Sequence, residues 1–144
     1  MKNRILLSGA LVFSAFVIGL SSNVEKAESR GSGARCIVFS VKGALQRSTA
    51  VFVGEVTGDE KNGDIKKSTF KVEKYWKGEN RKEIEIFVYE TARFQSPFKE
   101  GEKFLVYAMA DDDGKLTVSR CSRSRALENA EDDIKQLGKG KTPK

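Results

Sequence analysis

Ala50-Val51-Phe52-Val53-Gly54-Glu55-Val56-Thr57 is the stretch on which the fold turns. Its β-branched and aromatic residues predict a strand, because such side chains pack well on a pleated surface. Gly54 in its middle predicts a bulge or a tight bend. Working outward, Asp59–Asp64 contains Asn62-Gly63 and reads as a turn. Ser68–Trp76 is a second strand, with Phe70, Val72 and Trp76 on one face and Thr69, Lys71 and Glu73 on the other. Glu83–Tyr89 alternates most cleanly: Ile84, Ile86 and Val88 face one way, Glu83 and Glu85 the other. After a loop over Thr91–Gly101, Lys103–Ala110 is an almost continuous apolar run, as expected of a strand covered on both faces. Asp111-Asp112-Asp113-Gly114 then turns the chain into a fifth strand over Lys115–Arg120.

Helical spacing flanks the strands. Val41, Ala44, Leu45 and Ser48 predict a short helix before them. Ala126, Leu127, Ala130, Ile134 and Leu137 predict a second over Arg125–Leu137, with Ser124 as N-cap and Gly138 just past its end. Lys139–Lys144 is a basic tail with nothing apolar, expected to fray. Five short strands with a bulge-forming glycine in the first predict a mainly β, small closed barrel, since closure hides strand edges. Its core is expected to hold Trp76 together with Val51, Val53, Phe70, Ile84, Ile86, Val106, Val118 and Leu127.

The chain has 144 residues, 26 Lys+Arg, 20 Asp+Glu, two Cys and no His, for a formal net charge of +6. Without His there is no Ser-His-Asp or Cys-His nucleophile and no imidazole acid–base chemistry. Two Cys are too few for a Cys₄ zinc site or a cysteine-held iron–sulfur cluster. Glu83 and Glu85, about 7 Å apart on one strand face, have the separation of paired glycosidase carboxylates, but alternating Glu on a strand reads as solvated surface. The three aspartates at 111–113 lack the spacing and distal Glu of a calcium loop. Tyr75, Trp76, Phe87 and Tyr89 with nearby lysines could form a stacking platform; the alternative, which the pattern favours, places Trp76, Phe70 and Phe104 in the barrel core. No catalytic residue, metal site or cofactor is expected, and the chain reads as a non-enzyme.

Lys2 and Arg4 precede the uncharged run Ile5–Leu20, which reads as a secretory signal rather than a membrane span. Cleavage after Ala27-Glu28-Ser29 leaves residues 30–35 as a linker or mature N-terminus, 36–138 as the domain and 139–144 as the tail. An extracytoplasmic location follows, and with it a disulfide between Cys36 and Cys121, the alternative being two buried thiols.

Four stretches in order carry a resemblance: Ala50–Val56, Val72-Glu73-Lys74-Tyr75-Trp76-Lys77-Gly78, Gly101-Glu102-Lys103-Phe104-Leu105-Val106-Tyr107, and Cys121-Ser122-Arg123-Ser124-Arg125. The chain resembles the bacterial proteins similar to tissue inhibitors of metalloproteinases, which share the netrin-module variant of the OB barrel. The resemblance implies an exported, monomeric, non-catalytic protein-binding module, with a metalloprotease among its candidate partners, no nucleic acid and no stable membrane insertion. The family opens on Cys-x-Cys, whereas this chain has Ala34-Arg35-Cys36. That tripeptide is the expected partner-binding ridge. One alternative is a working inhibitor that chelates zinc through a processed N-terminus at Ala34; another is a carbohydrate- or anion-binding barrel.

Overall fold

The computed structural model describes residues 35–144. The signal segment, its cleavage site, the first part of the linker and Ala34 lie outside the described residues. Ser40 opens helix α1 (Val41–Arg47) by accepting a hydrogen bond from the Gly43 amide, and α1 turns Val41 and Ala44 inward. Strands β1 (Ala50–Asn62) and β2 (Ile65–Lys77) form a long antiparallel hairpin, followed by β3 (Glu83–Tyr89), β4 (Lys103–Ala110), β5 (Leu116–Thr117) and β6 (Arg125–Ala126). A 3₁₀ turn (Leu127–Asn129) leads into helix α2 (Glu131–Leu137). The sheet order is β1-β2-β3-β5-β4-β6, and β1 also pairs with β4 along its other edge.

This architecture corrects the expected five-stranded OB-like barrel: the molecule has a six-stranded mixed sheet with two helices. Two local events account for the difference. Arg125–Ala126, expected within the last helix, pairs instead with Phe104–Leu105 of β4 as a sixth strand. The segment after the Asp111–Gly114 turn is only two residues of strand, antiparallel to β4 but parallel to β3. The last helix starts late because Ser124 is otherwise engaged: its hydroxyl accepts from the Tyr107 amide at 2.8 Å, while Ser122 donates to the Tyr107 carbonyl at 2.9 Å. Gly138 ends α2 with φ +70°, and its amide bonds to the Ile134 carbonyl.

The turn expected over Asp59–Asp64 shrinks to Gly63-Asp64, since the hairpin ladder continues to Asn62↔Ile65. Charge pairs across the hairpin support the extension. Lys66 reaches Asp59 at 3.0 Å, Lys67 reaches Glu60 at 3.1 Å, and Ser68 donates to Asp59 at 2.6 Å. Gly63 has φ +58°, the left-handed conformation that a tight hairpin turn requires.

Two apolar clusters lie on opposite sides of β1 and β4. Phe52 and Val56 with Phe104, Val106 and Ala108 face one; Val51 and Val53 with Leu105 and Tyr107 face the other. The unbroken apolar run of β4 follows from this double coverage. Phe52, Phe70, Phe98 and Phe104 meet edge to face in the first cluster, with neighbouring ring centroids 5.0–6.5 Å apart. The helices cover the second.

Trp76 is not in the first cluster with Phe70. The β1–β2 register slips between Val53↔Lys74 and Gly54↔Val72, leaving Glu73 as the extra residue of a bulge. Alternation on β2 is thereby inverted. Tyr75 now turns to the first cluster, and Trp76 packs half-buried against the second, beside Leu137. Leu127 is also only partly buried there, on the 3₁₀ turn rather than on a helix. Gly54 makes the slip possible, because a Cβ there would stand 2.8 Å from the Lys71 carbonyl oxygen. The basic tail is held rather than frayed: Tyr75 and Lys141 exchange two backbone hydrogen bonds of 2.8 Å, and Trp76 donates to the Gly138 carbonyl at 3.0 Å.

Cys36 and Cys121 form a disulfide with Cα atoms 5.1 Å apart. It ties the segment before α1 to the loop after β5. Replacing both cysteines by serine is expected to lower the unfolding free energy by about 2–4 kcal/mol, because the open chain regains loop entropy. Urea denaturation of the oxidised protein and of the double variant measures this; equal midpoints would mean that the bond adds no stability.

Candidate ligand groove

The segment Cys36–Phe39 runs beside α1 and faces the chain that leaves β5. Between them, over the end of β4, lies a groove of about 420 Å³. Its walls are apolar where the strand and the N-terminal segment meet: Ile37, Val38, Phe39, Ala44, Tyr107 and Met109 line it. Ile37, Val38 and Met109 are 70%, 84% and 52% exposed, an unusual grouping for large aliphatic side chains. Four arginines, Arg47, Arg120, Arg123 and Arg125, line the same groove, and no Asp or Glu is among the described residues that do.

The arginines have different tasks. Arg123 holds the groove together. Its Nε and Nη2 donate to the two carboxylate oxygens of Asp133 at 2.6 and 2.8 Å, and its Nη1 donates to the Phe39 carbonyl at 2.9 Å. Asp133 is 1% exposed and also accepts from the Tyr107 hydroxyl at 3.1 Å. Burial by itself raises the pKa of Asp133, but the Arg123 hydrogen bonds and charge, with help from Arg125 and Tyr107, bring it below the usual carboxylate value. Burial, and next the Asp133 charge, push the Tyr107 hydroxyl well above its ordinary value, so it stays a donor. Arg47 is exposed at the end of α1 and lies over the Phe39 ring, 4.4 Å from its centroid. Arg125 donates through Nε to the Arg123 carbonyl at 3.3 Å.

A second cleft of about 450 Å³ lies beside β3, lined by Glu79, Arg81, Glu83, Glu85, Phe87 and Lys115 among others. Its charges are of both signs and largely answer one another: Arg81 pairs with Glu79, and Glu85 with Lys67 at 3.1 Å. Glu83 and Glu85 are both exposed on β3. Lys115 stands 5.6 Å from the Phe87 ring centroid. Tyr89 donates to Asp111 at 3.0 Å, and Asp111 also accepts from the Asp113 and Lys115 amides, so that aspartate organises its own turn. Among the described residues no group of three or more Cys, Asp or Glu side chains could hold a metal ion. The four aromatics weighed as a platform are dispersed: Tyr75 and Trp76 face opposite clusters, and Phe87 and Tyr89 are occupied by the contacts just given.

Of the ridge expected at Ala34-Arg35-Cys36, Arg35 is exposed and Cys36 is half-buried on the groove wall; Ala34 is outside the described residues. Sequence reasoning missed Ile37, Val38, Arg47 and Met109. The signal was present in Ile37-Val38-Phe39, an apolar triplet assigned to no strand or helix.

No family model matches the chain, and no curated protein matches it. Among solved structures, the p204 HINb domain is similar at 14% identity and a TM-score of 0.35. The match covers 63% of this chain and 47% of that one, so the chain spans just under half of that structure. A likeness at that TM-score carries no argument about fold or function. The resemblance to tissue inhibitors of metalloproteinases is corrected: no family model and no curated protein supports it, and the six-stranded mixed sheet is not the five-stranded barrel it implies. The exported inhibitor-like module, its protein partner, its extracytoplasmic location and its exclusion of nucleic acid fall with it. So do the zinc-chelating alternative and the carbohydrate- or anion-binding alternative built on the barrel.

Proposed function

We propose that this chain is a non-catalytic domain that binds a small amphiphile, an alkyl or acyl chain ending in an oxyanion, in the groove beside α1. The carrying observation is the pairing of an aliphatic wall with the guanidinium groups of Arg47 and Arg125, with no carboxylate among the described lining residues. Burying the chain against Ile37, Val38 and Met109 removes their exposed apolar surface from water. Arg47 and Arg125 at the rim offer charge-assisted hydrogen bonds to the head. A volume near 420 Å³ suits a ligand of modest size. The net charge of +6 favours approach of an anion.

Calorimetric titration with decanoate, decyl phosphate and decanol tests this reading. Both anions are expected to bind, and decanol at least about tenfold more weakly, as one lost charge-assisted hydrogen bond implies. Arg47→Gln is expected to weaken both anions by about the same factor and leave decanol unchanged. The relative strength of carboxylate and phosphate tells which head the rim prefers. Equal binding of the alcohol and the anions, or no binding at all, refutes the proposal.

A further inference from the structure

Between Cys36 and Phe39 the groove wall is a strap tied at two points. One tie is the disulfide to Cys121; the other is the Phe39 carbonyl, which accepts from Arg123, with Arg47 lying over the Phe39 ring. Ile37 and Val38 lie between the ties, with 70% and 84% of their surface exposed, so little else packs against them. The second tie rests on the buried Arg123–Asp133 pair, which a reductant leaves intact. The first is open to one: Cys121 is exposed, while Cys36 is half-buried.

We infer that the Cys36–Cys121 disulfide is a redox latch on the groove, whose reduction frees the Ile37–Val38 wall and releases the bound amphiphile. This rests on the proposed reading of the groove. The reductant is a dithiol. Its thiolate attacks Cys121 Sγ, the Cys36–Cys121 bond breaks, and Cys36 leaves as a thiolate that takes up a proton. The dithiol's second thiol then attacks the mixed disulfide and gives up its proton, which Cys121 takes up as it leaves. Two electrons and two protons pass to the protein, and the dithiol ends as a cyclic disulfide. The loosened wall must afterwards be ordered again whenever ligand binds, and ordering costs affinity.

Decanoate titrations of the oxidised and the dithiothreitol-reduced protein test the latch, with circular dichroism and amide hydrogen exchange followed in both states. Reduction is expected to weaken binding by about tenfold or more, the scale of reordering a short segment. Exchange is expected to rise at residues 36–38 well beyond the uniform increase that lower global stability brings to β1 and β4, with the circular dichroism unchanged. The doubly substituted Cys36→Ser, Cys121→Ser protein should bind as weakly as the reduced form and ignore the dithiol. Equal affinity in both redox states overturns the latch and leaves the groove reading intact. Global unfolding on reduction also overturns it, since the bond would then be a staple and not a control on one wall. Failure of the oxidised protein to bind decanoate overturns the groove reading, and the latch with it.

Discussion

Phe70→Ala is expected to lower the unfolding free energy by about 3–5 kcal/mol, the usual cost of emptying a large aromatic site in a packed core. Phe70 is fully buried at the centre of four rings. It meets Phe52 at 5.5 Å, Phe98 at 5.0 Å and Phe104 at 6.5 Å. Those partners come from β1, from β4 and from the loop between β3 and β4, so the cavity would open where three separate parts of the chain converge. Each edge-to-face pair adds roughly 0.5–1.5 kcal/mol beyond its buried area. Phe98 packs edge to face on Phe70 at 5.0 Å, so its loop should show faster amide exchange in the variant. Equilibrium urea denaturation measures the loss; a change below about 1 kcal/mol would mean that the site collapses and refills.

The second large effect is expected at Asp133. Asp133→Ala leaves the partly buried Arg123 guanidinium with no counter-charge, and breaking a buried pair in this way costs up to about 3–5 kcal/mol. The Tyr107 hydroxyl loses its acceptor in the same step. Asp133→Asn keeps an acceptor but not the charge, and should fall between the variant and the parent. The acid dependence has a fixed sign. The folded pKa of Asp133 lies below its unfolded value, so its contribution to stability is present above roughly pH 4 and is lost as pH falls through the folded value. Denaturation midpoints taken from neutral to acid pH should therefore drop less steeply in Asp133→Asn than in the parent. Parallel curves would show that the pair does not couple to folding.

Strand existence was legible in the sequence because period-two patterning is a local property. Phe70, Ile84, Ile86 and Val106 could be placed inside from their neighbours alone, and all are buried. Trp76 could not. Its side of the strand depends on the extra residue at Glu73, opposite a glycine in another strand, and no window along β2 contains that information. Gly54 announced a bulge, but not that the partner strand would carry the extra residue. Ser124 and Arg125 failed differently. Their helical spacing is real, yet the Tyr107 backbone offers Ser124 a better partner than a helix N-terminus, and Tyr107 is 17 residues away in sequence. The groove was illegible for the same reason. Arg47, Met109 and Arg125 come together only after α1, β4 and the chain beyond β5 have been assembled.

The backbone bonds between Tyr75 and Lys141 have a consequence for how the molecule behaves among copies of itself. Pairing of β2 with β3 ends at Lys71↔Glu83 and a last bond from the Val72 amide to the Lys82 carbonyl, and beyond these that margin of β2 would offer free amide and carbonyl groups to any passing strand. Lys141 occupies the vacancy at Tyr75 with the chain's own backbone. The lysines around it, Lys139 and Lys144 among them, repel a second copy. Six residues that look like a solubilising afterthought thus act as a stopper on an open sheet margin. A protease that clips after Leu137 would remove it and leave every fold-defining strand in place, opening that margin to the strands of neighbouring copies.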